Sequence, residues 1–319
     1  MNSWNRQIFF LLTSIIVVSV LRITSGEWVI SLPEVIHYLR PFLSEAELST
    51  PQAIVIRSVR LPRLLCSLGT GGLLSVSGLV FQGILANPLA EPYTLGIASG
   101  AAFGAALGII TGAFMVMPCA FGGAVLALML TWAVSRNGGS ERIILAGVIS
   151  NAVLSAGVTF LKAIAGDKLG AVVLWLMGSM SGAGTNDAVS VWLSALGVSV
   201  SAYAFGPVID AMSLGKDYAS VLGVNEDRVR IVLMLIVSLG VSVCVSEFGV
   251  IGFVGLVVPH VSRKLCGALH RRGVLHAFLL GALVLGLADG LAQRMGELPV
   301  GVITALAGGP FFCYVLTKR

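Results

Sequence analysis

Charged residues are scarce in this chain: they make up 11% of its 319 residues, against roughly 25% in soluble domains. The charges also cluster and leave long stretches without any. These charge-free stretches are 7–21, 64–90, 92–135, 143–161, 188–209, 231–246, 248–262, 273–288 and 298–317. About 20 apolar residues cross the ~30 Å hydrocarbon core of a bilayer, and a charge at its centre costs about 2.5–3.5 kcal/mol on insertion scales. The pattern excludes a soluble domain and predicts an all-α, polytopic membrane protein.

Motifs for metal binding, disulfides and catalysis are also missing. The five cysteines stand alone, without Cys-x-x-Cys spacing, and are interpreted as apolar packing residues. The four histidines form no ligand pair, and His260 is interpreted as a hydrogen-bonding residue at a helix end. No His-Glu-x-x-His or Gly-x-Ser-x-Gly motif occurs, and Gly215-Lys216-Asp217 lacks the spacing and the hydroxyl of a phosphate-binding loop. The sequence therefore predicts no enzyme, no cofactor and no metal in this chain.

Apolar and small residues dominate instead. The mean hydropathy is +0.96, and the 39 glycines are typical of transmembrane helices whose backbones approach closely. We therefore expect one transmembrane domain over 1–319, surrounded by membrane lipid. The net charge of +5 is assigned to cytoplasmic loops rather than to a nucleic-acid site. The apolar run Ile8–Leu21 resembles a signal peptide, but no clean cleavage site follows, so an uncleaved first span is expected.

The charge-free stretches predict ten transmembrane helices. The stretch 92–135 is long enough for two, divided near Thr111-Gly112 and Pro118, whereas 248–262 is short and contains Pro259. Segment 169–186 is assigned to an external loop with a short helix, because its glycine-rich second half disfavours a stable helix. An even count puts both termini on one side. With the termini in the cytoplasm, twelve of the twenty basic residues lie inside, as the positive-inside rule expects.

Two groups of charged residues depart from this pattern. Five arginines stay on the first external loop, which indicates either an acidic partner or side chains that reach back to the interface: Arg22, Arg40, Arg57, Arg60 and Arg63. Asp289 is the carboxylate that lies well inside a predicted span. It indicates either a functional site or a cap at the end of the ninth helix.

Two connections between spans are unusual. The run from Gln82 to Pro92 contains two prolines and Asn87, which indicates a tight re-entrant turn, either purely structural or a constriction on a transport path. The cytoplasmic loop at about 210–229 carries an apolar face at helical spacing. Such a loop with short helices fits either lipid headgroups or a groove on a soluble partner.

Several motifs, taken together and in order over roughly 55–319, resemble the FecCD family of permeases of type II ABC importers. They are Arg60-Leu61-Pro62-Arg63, the Gln82–Pro92 run, Leu95-Gly96, Ser99-Gly100-Ala101, Leu145-Ala146-Gly147-Val148, Trp175-Leu176-Met177-Gly178-Ser179, Leu214-Gly215, Leu222-Gly223-Val224, Gly252–His260, Glu297–Gly301 and Gly309-Pro310-Phe311-Phe312. Between Asp289 and Glu297 the chain is about three residues shorter than the family pattern. The N-terminal fifty residues carry no family motif.

The resemblance implies a subunit with ten helices that pairs with a second permease copy around a central pathway. It also implies two cytoplasmic ATPase subunits, which carry ATP and Mg, and a periplasmic or lipid-anchored substrate-binding protein. The implied home is the bacterial cytoplasmic (inner) membrane. Substrate would cross by ATP-driven alternating access.

The resemblance also implies roles for particular residues. Arg60 and Arg63 match positions that pair with glutamates of the binding protein, and Arg294 stands in for a third such arginine. The implied cytoplasmic gate is Asn87, Leu89 and Ser140. The implied coupling element for the ATPase contains Leu214, Gly215, Ala219, Leu222, Gly223 and Val224.

The expected function is import of a large metal chelate, with ferric siderophore favoured as the commonest cargo of the family. Haem or cobalamin import by the same mechanism is the alternative. An ion-coupled secondary transporter is a weaker rival, because it needs carboxylates near the midplane and Asp289 alone is poor support. An assembly subunit without a pathway is disfavoured by the external arginines and the coupling loop.

Overall fold

The computed structural model describes residues 3–26, 28–40, 44–112, 115–135, 140–214 and 225–317. Every regular element within these ranges is helical, which confirms the predicted all-α class. The helices are α1 (Ser3–Thr24), α2 (Leu32–Tyr38), α3 (Glu45–Leu48), α4 (Pro51–Ile84), α5 (Ile97–Thr111), α6 (Val116–Ser135), α7 (Ser140–Ile164), α8 (Leu169–Leu176), α9 (Thr185–Ala204), α10 (Gly206–Ser213), α11 (Glu226–Phe248), α12 (Val254–Cys266), α13 (His270–Arg294) and α14 (Val300–Thr317).

Seven helices of the described ranges are long and apolar enough to cross a membrane: α1, α4, α6, α7, α9, α11 and α13. The apolar parts of α5 and α14 are shorter, and α12 has only 13 residues around Pro259. The stretch 92–135 contains two helices, as predicted, with α5 ending at Thr111 before a left-handed Gly112.

The helix α4 forms the centre of the bundle and is almost wholly buried, whereas α1 lies at the periphery. The α4 helix packs against α9, α12 and α13, and glycines make the closest crossings possible. A Cβ atom on Gly71 would lie 2.2 Å from the carbonyl oxygen of Gly281 in α13, and one on Gly78 would lie 1.7 Å from that of Gly255 in α12. Small residues at these points allow direct backbone contact, as membrane helices require.

Segment 169–186 contains the short helix predicted for it, but the turn that follows is part of the packed bundle. Ser179 N donates to Phe248 O (2.9 Å) at the end of α11, and Gly301 N in α14 donates to Gly178 O (3.3 Å). Gly178 has a φ of +69°, and a Cβ there would lie 2.4 Å from Val250 O. Glycine therefore stops the helix and lets three chain segments meet.

The connection between α11 and α12 is a break within the apolar stretch 248–262. Phe253 precedes α12 with a φ of +68°, a backbone conformation that residues other than glycine rarely adopt. The α12 helix thus starts inside the apolar stretch, as the short window and Pro259 predicted.

Candidate functional site

Asp289 is the centre of a cluster of charged side chains near the C-terminal end of α13. Its carboxylate is 1% exposed and pairs with two arginines. Arg63 of α4 donates from Nε to Oδ2 (3.1 Å) and from Nη2 to Oδ1 (3.0 Å). Arg22 of α1 donates from Nη2 to Oδ2. Asp289 is therefore a counter-ion that joins three helices rather than a free helix cap.

Glu297 completes this group, called here the Asp289 cluster: Arg22, Arg63, Asp289 and Glu297. The Nη1 atom of Arg63 donates to Glu297 Oε2 (2.6 Å). The Arg63 side chain is 6% exposed, whereas that of Glu297 is 55% exposed. Two positive and two negative charges balance. The cluster thus runs from a buried carboxylate to a surface carboxylate.

Arg22 has further partners that fix α1 to the bundle. Its Nη1 donates to Ser67 Oγ (2.7 Å) of α4 and to Gly286 O (3.4 Å) of α13. Sequence reasoning placed Arg22 among the external arginines and treated Asp289 separately. A buried carboxylate in an apolar helix requires a nearby cation. The position of Asp289 in an apolar helix was therefore the sequence signal for a pairing with an arginine.

The arginines predicted to dock a binding protein have different surroundings. Arg63 belongs to the Asp289 cluster. Arg60 is partly exposed and donates to two backbone carbonyls, that of Ile23 in the last turn of α1 (2.6 Å) and that of Trp28 after α1. Arg294 is exposed at the last turn of α13. Their docking role stays a prediction.

The turn after α4, called here the Asn87 turn (85–90), lies at the opposite end of that helix. Asn87 Oδ1 accepts a hydrogen bond from Leu89 N (2.9 Å), and Ala90 N donates to Asn87 O (3.1 Å). Ala86 has a φ of +47°. Leu89 is exposed, and Ser140 is half-buried at the start of α7. The structure thus joins two predicted gate residues in one tight turn.

A cavity of about 400 Å³ lies beside the Asn87 turn. It is lined by Gln82, Gly83, Ala86, Asn87, Pro88, Ser213, His260, Arg263, Lys264, Ala268 and His270. Arg263 Nη2 donates to Gln82 Oε1. His270 is held by Asp210 Oδ1, which accepts from the His270 backbone N (3.0 Å) and contacts Nδ1 (2.6 Å). The two lining residues with a fixed charge, Arg263 and Lys264, are both positive, so anions are favoured there.

The described ranges include His260, which lies in α12. Within them, no three His, Cys, Asp or Glu side chains are grouped so as to hold a metal ion. His260 lines the cavity beside the Asn87 turn instead.

Glu91 follows the Asn87 turn and was not singled out from the sequence. It lies in the connection between α4 and α5, where a Cβ on Gly255 would be 3.6 Å from its Oε2 atom. Burial raises the pKa of this carboxyl to about 7, because a charged carboxylate is disfavoured where water is excluded. The group therefore changes protonation near neutral pH.

The predicted coupling element falls largely outside the described residues. Leu214 directly follows α10 as its C-cap and is exposed. Gly215, Ala219, Leu222, Gly223 and Val224 lie in 215–224, beyond the described ranges. Their role stays a prediction.

The sequence matches a family model over almost its whole length. The model describes the FecCD transport family and matches residues 12–318. The hemin transport system permease protein HmuU of Yersinia pestis is 36% identical over 82% of this chain and 83% of its own. The cobalamin import system permease protein BtuC of Halobacterium salinarum is 34% identical over 83% of this chain and 74% of its own.

A solved structure is similar over the full length. It is described as an inward-facing conformation of a metal-chelate type ABC transporter. The match has a TM-score of 0.86 and 30% identity, and it covers 99% of this chain and 100% of the other.

Proposed function

The chain belongs to the FecCD transport family, the membrane permease subunits of ABC importers whose ATPase is a separate subunit, and we propose that it moves a ferric siderophore into the cytoplasm. Import of haem or cobalamin by the same mechanism is the second candidate, because relatives with those names share about a third of their residues with this chain. All three cargoes are large metal chelates.

The observation that carries this proposal is the full-length similarity to a metal-chelate type transporter. Seven long apolar helices need three more crossings for the family's ten. The shorter helices α5, α12 and α14 are the candidates. Ten is an even number, so both termini lie on the same side of a bacterial inner membrane, and the positive-inside rule makes that side the cytoplasm. The Asp289 cluster is then outside and the Asn87 turn is inside.

Each end of the bundle then has a task. Outside, Arg60, Arg63 and Arg294 contact acidic side chains of a substrate-binding protein. Inside, Asn87, Leu89 and Ser140 close the pathway, and the basic cavity beside them favours an anionic chelate. Two permease copies enclose the pathway.

Energy comes from two ATPase subunits that bind ATP and Mg. They contact the segment from Leu214 to Val224, which follows the exposed end of α10. ATP binding draws the ATPase subunits together and moves this segment. The bundle then exchanges an outward-open for an inward-open form, provided that the nucleotide state favours one of them.

The first test concerns coupling. The double variant Leu214→Asp/Leu222→Asp should lose co-purification with the ATPase subunit and ATP-dependent uptake in proteoliposomes. The control is Leu269→Asp, another exposed leucine, just before α13, which should keep both. Normal assembly and uptake in the double variant would overturn the coupling assignment.

The second test concerns energy and cargo. Uptake of iron-55 siderophores, haem and labelled cobalamin is compared with and without ATP, and after an uncoupler collapses the proton gradient. ATP-dependent siderophore uptake that survives the uncoupler supports the proposal. Uptake of cobalamin or haem alone would replace the cargo, and uptake driven by the proton gradient without ATP would overturn the mechanism.

A further inference from the structure

We propose that Glu297 is an internal occupant of a carboxylate site on Arg63, and that an acidic side chain of a docking protein takes its place. The inference rests on the proposed function, because it assigns the partner to the outer face. It adds to that function an exchange step. Arg63 would be masked by the permease itself until an acidic partner arrives.

The contacts divide the Arg63 guanidinium into a fixed and an exchangeable edge. Asp289, which is 1% exposed, takes Nε and Nη2 and holds the side chain in place. Glu297, which is 55% exposed, takes Nη1 at 2.6 Å. The surface edge of a buried arginine is therefore covered by one carboxylate that solvent and partners can reach.

Charge balance explains why this edge demands a carboxylate. Arg22 and Arg63 both pair with Asp289, whose single negative charge neutralises only one of them. Glu297 supplies the second negative charge. Removing it without replacement would leave an uncompensated positive charge in a buried cluster, which is strongly unfavourable. An incoming carboxylate restores the balance, so the exchange conserves charge.

The backbone at Glu297 favours departure rather than permanent anchoring. Glu297 has a φ of +60°, and Gly296 before it has a φ of +81°. A left-handed conformation is strained for a residue with a side chain, and such strain concentrates at switch regions and ligand contacts. Glu297 lies on the short connection between α13 and α14, so it can swing away without moving either helix.

An internal competitor gives selectivity. A tethered carboxylate acts at a high effective concentration, so weak or badly placed anions do not displace it. A folded partner displaces Glu297 when it presents an acidic side chain at the right position and makes other contacts as well. When the partner leaves, Glu297 returns and the Asp289 cluster is neutral again.

Arg60 provides a contrast within the same helix. Its guanidinium donates to the carbonyl oxygens of Ile23 and Trp28, which are uncharged acceptors. Among the described residues, the side-chain contacts of Arg60 are to these uncharged carbonyls, so its positive charge can attract an acidic partner from a distance. Arg63 binds an acidic side chain of the docking protein only after Glu297 has moved away.

The test measures the site directly in the full-length permease in nanodiscs. The probe is a short polyglutamate peptide, and its affinity is compared for wild type, Glu297→Gln and Arg63→Gln/Glu297→Gln. Glu297→Gln removes the internal competitor, so a larger fraction of the permease has a free Arg63 edge. Because the apparent dissociation constant falls as this fraction rises, the affinity for the peptide should increase roughly tenfold. The double variant should lose this gain. The control is Asp167→Asn, an exposed acid between α7 and α8, which removes the same charge elsewhere.

A second measurement does not need the double variant to fold. Phenylglyoxal modifies accessible arginines, and mass spectrometry reports the modification of Arg63. Glu297→Gln should speed this reaction severalfold, whereas Asp167→Asn should not change it. Equal affinity and equal labelling in wild type and Glu297→Gln would overturn the exchange, as would an equal gain in Asp167→Asn. Neither peptide binding nor labelling uses ATP. If Glu297→Gln gives both gains but the wild-type permease shows no ATP-dependent uptake, the transport proposal is overturned and the exchange at Arg63 is not.

Discussion

Arg22 and Asp289 form a buried ion pair between residues 267 positions apart in the chain. Their contact fixes the peripheral α1 helix to α13. Because α1 is otherwise exposed along most of its length, this pair supplies an attachment that apolar packing alone does not.

Asp289→Asn should strongly destabilise the permease. The variant leaves Arg22 and Arg63 buried with only Glu297 as a counter-ion, and breaking a buried ion pair costs about 3–5 kcal/mol. The control is Asp227→Asn, whose carboxylate pairs with Arg230 but is 80% exposed. Exposed pairs contribute about 0–1 kcal/mol. Thermal unfolding in detergent checks both, and similar melting temperatures for the two variants would contradict the counter-ion role.

Gly78→Ala should disrupt the crossing of α4 and α12. A Cβ on Gly78 would lie 1.7 Å from the carbonyl oxygen of Gly255, so the backbones must separate. Overpacking typically costs about 1–3 kcal/mol. Gly197→Ala in α9 is the control, because nothing lies within 4 Å of a Cβ there. A melting temperature lowered only in Gly78→Ala supports the close crossing, and equal stability of the two variants would count against it.

The sequence predicted the elements of this fold better than their contacts. Charge-free stretches follow directly from the cost of burying charge in lipid, and they correctly predicted the helix pair of 92–135 and the broken segment before Pro259. They carry no information on which helices touch. The burial of the turn after α8 depends on contacts with distant segments, made by Ser179 with Phe248 and by Gly178 with Gly301. Local patterns could not reveal that meeting.

The same limit applies to the site residues. The Arg60-to-Arg63 motif and Asp289 were both singled out, but a pairing across more than 200 positions has no local signature. Glu297 appeared only as part of a motif. Its role depends on a left-handed backbone and an ion pair, which only the three-dimensional arrangement shows.

Glu91 should make stability depend on pH between about 4.5 and 7. Burial raises the pKa of its carboxyl from 4.5 to about 7, so the folded state holds the proton more tightly than the unfolded chain. The stabilisation is therefore complete below pH 4.5 and is lost as pH rises through 7. At about 1.4 kcal/mol per pKa unit, the loss approaches roughly 3 kcal/mol.

Glu91→Gln tests this dependence, because the amide keeps the shape without titrating. Melting temperatures at pH 5 and pH 8 should differ less in this variant than in wild type. Glu141→Gln, at the start of α7 and exposed, serves as the control and should keep the wild-type dependence. An unchanged difference in Glu91→Gln would assign the pH dependence to other groups.

Asn87→Ala should uncouple ATP hydrolysis from uptake. The side-chain oxygen of Asn87 accepts a hydrogen bond from Leu89 N (2.9 Å), and this bond closes the turn that presents the exposed Leu89. Alanine removes the acceptor, and the loss of this exposed hydrogen bond costs about 0.5–1.5 kcal/mol. The turn should loosen, so the proposed gate closes less completely.

Asn87→Asp is the matched control, because its carboxylate retains the acceptor, and the neighbouring Arg263 and Lys264 tolerate the added charge. The quantity to measure is cargo imported per ATP hydrolysed in proteoliposomes. We expect a fall of roughly fivefold or more in the alanine variant, the equivalent of about 1 kcal/mol, and a near-normal ratio in the aspartate variant. If alanine and aspartate give the same ratio as wild type, the Asn87–Leu89 bond shapes the turn without controlling the pathway.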